Sequence, residues 1–161
     1  MKKYLIFLLI ILKAFSQESD ENVYISPEFK SDTLFSINGD TLNIVVERKV
    51  DKQSKVSSES YSDDGTKITM YYLDNYFKLS FNKNSQKILE KDFHKNDFAE
   101  VCGSEYLSDK ILYSFVFETF NTKENLTEFS VSLYKPDTDV GCEILFKLFE
   151  DGSFKIFDNY N

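Results

Sequence analysis

Four short runs in the C-terminal third constrain the fold more than any other part of the chain. ILYSFVFETF, LTEFSVSLYK, CEILFKLF and SFKIF follow one another within residues 111–157, separated by polar segments. In the second run Phe129, Val131 and Leu133 alternate with Glu128, Ser130 and Ser132. In the third, Cys142, Ile144, Phe146 and Leu148 alternate with Glu143 and Lys147. A period of two is the mark of a strand, whose neighbouring side chains point to opposite faces. Leu145 and Phe149 interrupt the polar face, which implies that this face is partly covered. The first run puts Ile111, Tyr113, Phe115 and Phe117 on one side and a mixed set, Leu112, Val116 and Phe120, on the other. The connections over 121–125 and 136–141 are short, and Asp151-Gly152 is a two-residue turn in which Gly accepts positive φ without steric cost. Hairpins joined in sequence make an antiparallel meander.

The preceding residues repeat this rhythm. Residues 23–25 read as a short edge strand that stops at Ser26-Pro27. Asn38-Gly39 between the β-type runs 33–37 and 41–50 is a strong hairpin signal. Residues 51–65 are rich in Ser, Asp and Lys with little to bury, and read as a mobile loop. Residues 67–73 and 76–81 read as a hairpin across Asp74-Asn75, and 86–91 as a further strand. The rhythm breaks over 93–110, where Asn96 or Asp97 caps a short helical segment near 96–103 that Gly103 ends. The expected fold is all-β: an antiparallel meander of about eight strands, barrel-like or strongly curved because open sheet edges are a liability. A two-layer sandwich is the alternative.

Residues 1–16 stand apart. Lys2 and Lys3 precede an unbroken apolar run over 5–12, and Ala14-Phe15-Ser16 supplies small residues at a cleavage site before Gln17. That is a signal-peptide pattern, and the run is shorter than the about 20 apolar residues a spanning helix needs. The expectation is therefore a single β domain over 17–161, with no membrane span in the mature chain, exported to a periplasmic or extracellular site. Removing residues 1–16 takes away three lysines and no acid, which leaves 16 basic against 27 acidic residues and a formal charge of −11. Such a chain repels nucleic acid and anionic lipid. Cys102 and Cys142 are the only cysteines. In an exported chain an even count favours a disulfide, against two separate buried thiols.

Candidate chemistry is sparse. Asp137, Asp139 and Glu143 resemble the start of a calcium loop, but Gly141 stands where a third ligand is expected and no distal acid follows. The plain reading is a turn after Pro136. His94, the single histidine, lies in the charged stretch KDFHKND and reads as a surface residue. No Gly-x-Ser-x-Gly, Gly-rich phosphate loop or histidine cluster occurs, so no catalytic residue and no cofactor is assigned. Tyr71, Tyr72 and Tyr76 cluster in sequence and are either a small contact platform or ordinary cross-strand packing.

The N-terminal pattern, the Asn38-Gly39 hairpin, the Tyr/Phe-rich strands and the segment SLYKPDTDVGCEILFKLFEDGSFKI together resemble short exported Bacteroidota proteins classed as domains of unknown function. That resemblance implies no substrate and no catalytic residues. It does make Asp32-Thr33-Leu34 and Asp40-Thr41-Leu42 similar to the three-residue motif such bacteria O-glycosylate, on Thr33 and Thr41. The functional expectation is an exported, non-catalytic binding or interaction module whose partner, a protein or a small molecule, is unknown. Residues 51–65 and 136–141 are its expected contact loops. The alternatives are a small-molecule carrier with an aromatic-lined barrel interior and a hydrolase using paired carboxylates.

Overall fold

A computed structural model of the chain describes residues 22–37 and 39–158. The signal-peptide expectation for residues 1–16 and its cleavage point lie outside the described residues, as does Asn38.

Two sheets form, antiparallel throughout except where β1 joins the first, and they do not close into a barrel. The first holds β1 (Asn22–Tyr24), β2 (Phe29–Ile37), β3 (Asp40–Tyr61), β4 (Lys67–Lys83) and β5 (Gln86–Phe93). Its order is β1-β4-β3-β2, with β5 also on β4 and β1 running parallel to it. The second is a plain meander of β6 (Ile111–Asn121), β7 (Leu126–Tyr134), β8 (Gly141–Phe149) and β9 (Phe154–Asp158). Between the sheets the chain crosses through two single 3₁₀ turns, Lys95–Phe98 and Tyr106–Asp109, and the short helix α1 (Ala99–Cys102). The N-cap is His94, earlier than the expected Asn96 or Asp97; Asp97 lies in the first turn and reaches back to accept the His94 N–H at 2.8 Å, and Gly103, at φ +87°, ends the segment. The all-β meander and its helical interruption are therefore as expected, arranged as two layers.

One core joins the layers. Leu42, Ile44 and Val46 of β3 and Phe77, Leu79 and Phe81 of β4 pack towards Phe115, Phe129, Val131, Leu133, Ile144, Phe146 and Leu148. Phe93 meets Phe146 and Phe154 edge to face, at 5.2 Å and 5.3 Å between centroids, and Phe115 at a tilt, at 5.5 Å. Edge-to-face contacts of this kind add to the burial each ring already contributes. These phenylalanines pack between the two sheets, so the barrel interior expected for a carrier does not form among the described residues.

Three local expectations are corrected. First, Asp74-Asn75 is not a turn. β4 runs straight through it, and both residues are buried. The apolar alternation changes phase here, from the even positions Met70 and Tyr72 to the odd positions Phe77, Leu79 and Phe81, and in sequence that looks like a chain reversal. The structure accommodates it with a register shift between Asp51 and Lys55 on β3, opposite Asp74 and Leu73. Second, residues 51–61 are not a loop. They are the outer half of β3, polar because this arm of the hairpin is solvated, and only the Ser62–Thr66 turn remains, closed by Ser62 N–H to Thr66 O at 2.9 Å. Third, Tyr113 does not share a face with Phe115. A bulge between Leu112 and Ser114 takes Tyr113 out of the ladder, so Leu112 is buried while Tyr113 is 53% exposed. Bulges re-aim a side chain in this way.

Asp74 fastens the sheets together. Its Oδ1 accepts the backbone N–H of Leu112 in β6 and of Asn75, both at 2.8 Å. Its Oδ2 meets Lys95 Nζ at 3.2 Å. Asn75 Nδ2 donates to Leu112 O at 3.0 Å, so Leu112 is gripped at both its backbone groups. Removing this buried carboxylate strands two amide donors and takes the ion pair from Lys95, whose Nζ keeps, among the described residues, only the Lys110 O at 2.8 Å. Asp74→Ala is expected to lower folding stability by about 3 kcal/mol, read from urea unfolding midpoints at constant m.

Cys102 and Cys142 are joined in a disulfide that ties α1 to β8 across a separation of 40 residues. Closing a loop of that size contributes roughly 4 kcal/mol through the unfolded chain. Cys102→Ser/Cys142→Ser is expected to lose most of that stability, and reduction of the wild-type protein to lower its melting temperature to match.

Candidate functional site

The ends of the two sheets enclose a cleft of about 880 Å³. Tyr24 and Ser26 come from β1 and the segment after it, Tyr72 from β4, Ile111 and Tyr113 from β6, and Tyr134 from β7. The β7–β8 loop supplies the rim from Lys135 to Asp139. Four tyrosines thus converge from strands far apart in sequence. Tyr24 and Tyr72 lie 5.5 Å apart between centroids, and Tyr113 and Tyr134 lie 6.0 Å apart, edge to face.

Carboxylates hold two of the rings. Tyr72 donates its hydroxyl to Asp137 Oδ2, and Tyr134 donates to Glu143 Oε1. Glu143 is fixed in turn by Ser132 Oγ, which donates to its Oε2 at 3.0 Å and accepts from Ser114 Oγ at 2.8 Å. Burial first, and then the hydrogen bond to the Asp137 carboxylate, pushes the Tyr72 phenol up to about 12. Asp137 has φ +61°, a left-handed conformation that Asp tolerates better than most residues. The turn is set by Lys135 N–H to Val140 O at 2.9 Å and by Thr138 Oγ1, which donates to Lys135 O at 3.0 Å. Gly141 is required for a steric reason. A Cβ there would lie 2.2 Å from Tyr134 Cδ1, so the ring can cross the strand only where no side chain stands. Tyr106 donates its hydroxyl to Gly141 O at 2.8 Å.

Residues 12–156 match the family model described as Domain of unknown function (DUF4738). The chain belongs to that family. No curated protein matches it. The cleft is therefore described for this DUF4738 domain from its own residues.

Of the three tyrosines singled out in sequence, only Tyr72 enters the cleft of the DUF4738 domain. Tyr71 carries Lys55 Nζ over its ring at 4.4 Å, and Tyr76 stacks on His94 at 5.2 Å between centroids. Neither lines the cleft, so the three do not form one platform. The tyrosines missed were Tyr24, Tyr113 and Tyr134. Only Tyr134 carried a signal, its place beside the turn after Lys135. Asp137 and Asp139 do reach the site, on its rim, whereas the Glu143 carboxylate is held by Tyr134 and Ser132. Among the described residues no group of three or more His, Cys, Asp or Glu is placed to hold a metal ion. His94 is half-exposed, with Nδ1 3.7 Å from Asp51 Oδ2.

Thr33 and Thr41 are separated by their faces. Thr33 is half-buried opposite Ile44, and Thr41 is exposed opposite Ser36. Among the described residues the carboxylates whose pKa departs from the ordinary range, Asp40, Glu47, Asp64, Glu90, Asp109 and Asp151, all move down. For Asp109 the leading cause is the hydrogen bond from Lys110. Among the described residues no helix is long and apolar enough to cross a membrane.

The Tyr72 phenol has a consequence for stability. Its pKa rises from 10.0 in a free side chain to about 12 in the fold. A group raised in this way stabilises the fold fully below pH 10, and that contribution is lost as pH climbs through 10 towards 12. Alkaline unfolding curves are therefore expected to fall more steeply for the wild type than for Tyr72→Phe across that window.

Proposed function

We propose that the chain is an exported, non-catalytic interaction module that receives its partner in the tyrosine cleft. The observation that carries this reading is the preparation of the cleft before any partner arrives. Tyr72 and Tyr134 are locked by carboxylates, while Tyr24 and Tyr113 stand 48% and 53% exposed at the mouth. Rigid aromatic anchors beside exposed ones are the features that concentrate binding energy at an interface, because little side-chain freedom is lost on contact. A cleft that gathers polar and aromatic groups from four strands is the default place to look for a ligand.

Other features support the wider reading. The apolar run after Lys2-Lys3 and the Cys102–Cys142 bridge both suit an oxidising compartment outside the cytoplasm. The absence of catalytic motifs in the sequence suits a binding role. Of the two loops expected to make contact, 136–141 supplies the rim, whereas 51–61 is strand.

Two measurements test this. The mature chain isolated from its host is expected to begin at Gln17 by intact mass; a chain that retains residues 1–16 would remove export. In the same preparation, a co-purifying partner is expected with the wild type and absent with Tyr24→Ala/Tyr113→Ala. Both rings are exposed at the mouth, so the double variant is expected to melt within a few degrees of the wild type. Equal retention of the partner by a folded variant would show that the cleft is not the contact surface.

A further inference from the structure

We infer that the tyrosine cleft takes an organic cation, an ammonium or guanidinium group, either as a free small cation or as the side chain of a basic peptide. This rests on the cleft being the contact surface and adds the chemistry of what enters it.

Three observations converge. The first is the rings. A cation is attracted to the electron-rich face of an aromatic ring, and several rings around one space sum that attraction. Two of the four tyrosines here donate their hydroxyls to carboxylates, Tyr72 to Asp137 and Tyr134 to Glu143. A phenol polarised in this way carries more electron density on its ring, so its face becomes a better cation acceptor. Among the described residues no cation lies over Tyr24, Tyr72 or Tyr113.

The second is the charge at the rim. Among the described residues Lys135 is the one cation that lines the cleft, and its Nζ sits 3.1 Å from Asp109 Oδ2. Asp137 and Asp139 remain, both exposed. Among the described residues the Asp139 carboxylate makes no side-chain hydrogen bond or ion pair. The rim therefore offers negative charge beside aromatic faces, in a chain whose overall charge is −8 and which attracts cations at long range.

The third is precedent within the molecule. Lys110 Nζ sits 3.7 Å from the centroid of Tyr106, Lys55 Nζ 4.4 Å from that of Tyr71, and the Arg48 guanidinium carbon 4.8 Å from that of Phe29. The chain repeatedly covers exposed or half-buried rings with cations of its own, and the cleft groups its tyrosines where an outside cation can reach them. A volume of about 880 Å³ also exceeds what an ammonium head needs, which leaves room for the remainder of a ligand.

The test uses the disulfide-bonded chain and four probes, paired so that each cation has a neutral counterpart of the same shape. Choline is set against 3,3-dimethylbutan-1-ol, and acetyl-Gly-Arg-Gly-amide against its citrulline analogue. Binding is followed by calorimetry and by the ring resonances of Tyr24, Tyr72 and Tyr113. At least one cation is expected to bind and shift those resonances, with its neutral partner about tenfold weaker. Raising salt and the substitution Asp139→Asn are each expected to weaken binding by about threefold or more. Choline binding identifies a free small cation as the source, and arginine peptide binding identifies a peptide. Neutral probes that bind as tightly as the cations, or failure of both cations at millimolar concentration, would overturn the inference. If that failure came with loss of the natural partner in Tyr24→Ala/Tyr113→Ala, the cleft would still be the contact surface and only its cation chemistry would fall. If the double variant kept its partner, the contact reading itself would fall.

Discussion

The two sheets are held in register by a carboxylate almost entirely removed from water. Asp74 is 2% exposed, yet it answers two backbone donors and a lysine, and its neighbour Asn75 takes the remaining carbonyl of Leu112. Apolar packing between layers is strong but non-directional, and sheets pressed together by phenylalanine alone have many ways to slide. The Asp74-Asn75 pair converts that loose preference into one position for β6 along β4. Everything that depends on the relative placement of the sheet ends follows from it. Ile111 comes to rest against Val56 and Tyr72, and Tyr113 comes to face the same cleft as Tyr24.

This contact was also the hardest to read from the chain. Asp-Asn is ordinary turn chemistry, and the apolar alternation changes phase there, so a reversal was the economical interpretation. Local pattern cannot show that both side chains are spent on a strand 37 or 38 residues away. Where no such long-range demand intervened, the strands were legible. The β7, β8 and β9 runs and the β2–β3 hairpin lie where period-two alternation and turn residues placed them. The polar composition of residues 51–61 misled for a related reason. Alternation reports a strand only when one of its faces is buried, and this arm carries Val56 as its one buried residue.

The cleft was less legible than the fold. Tyr71 and Tyr72 are adjacent, so a strand must send them to opposite faces, and that much could have been inferred. Tyr76 is parted from Tyr72 by the phase change at Asp74-Asn75. Tyr113 needed the bulge beside it, and Tyr24 needed the parallel pairing of β1 with β4. Those are consequences of assembly, and a single strand examined alone carries no trace of them. Gly141 is the instructive exception. It looked like a missing ligand in a calcium loop, whereas its role is to let the Tyr134 ring cross the strand.

The Cys102–Cys142 bridge encloses more than the crossover. Every cleft residue of the second sheet, from Ile111 and Tyr113 to Tyr134 and the loop through Asp139, lies inside the covalent ring that it closes. A protease that cuts the exposed turn between β6 and β7 would open the ring without freeing either piece. Both halves of that wall would stay tethered through the two sulfurs. In surroundings where backbone cleavage is a hazard, the bridge thus acts as insurance for the cleft: a nicked molecule keeps all four tyrosines attached.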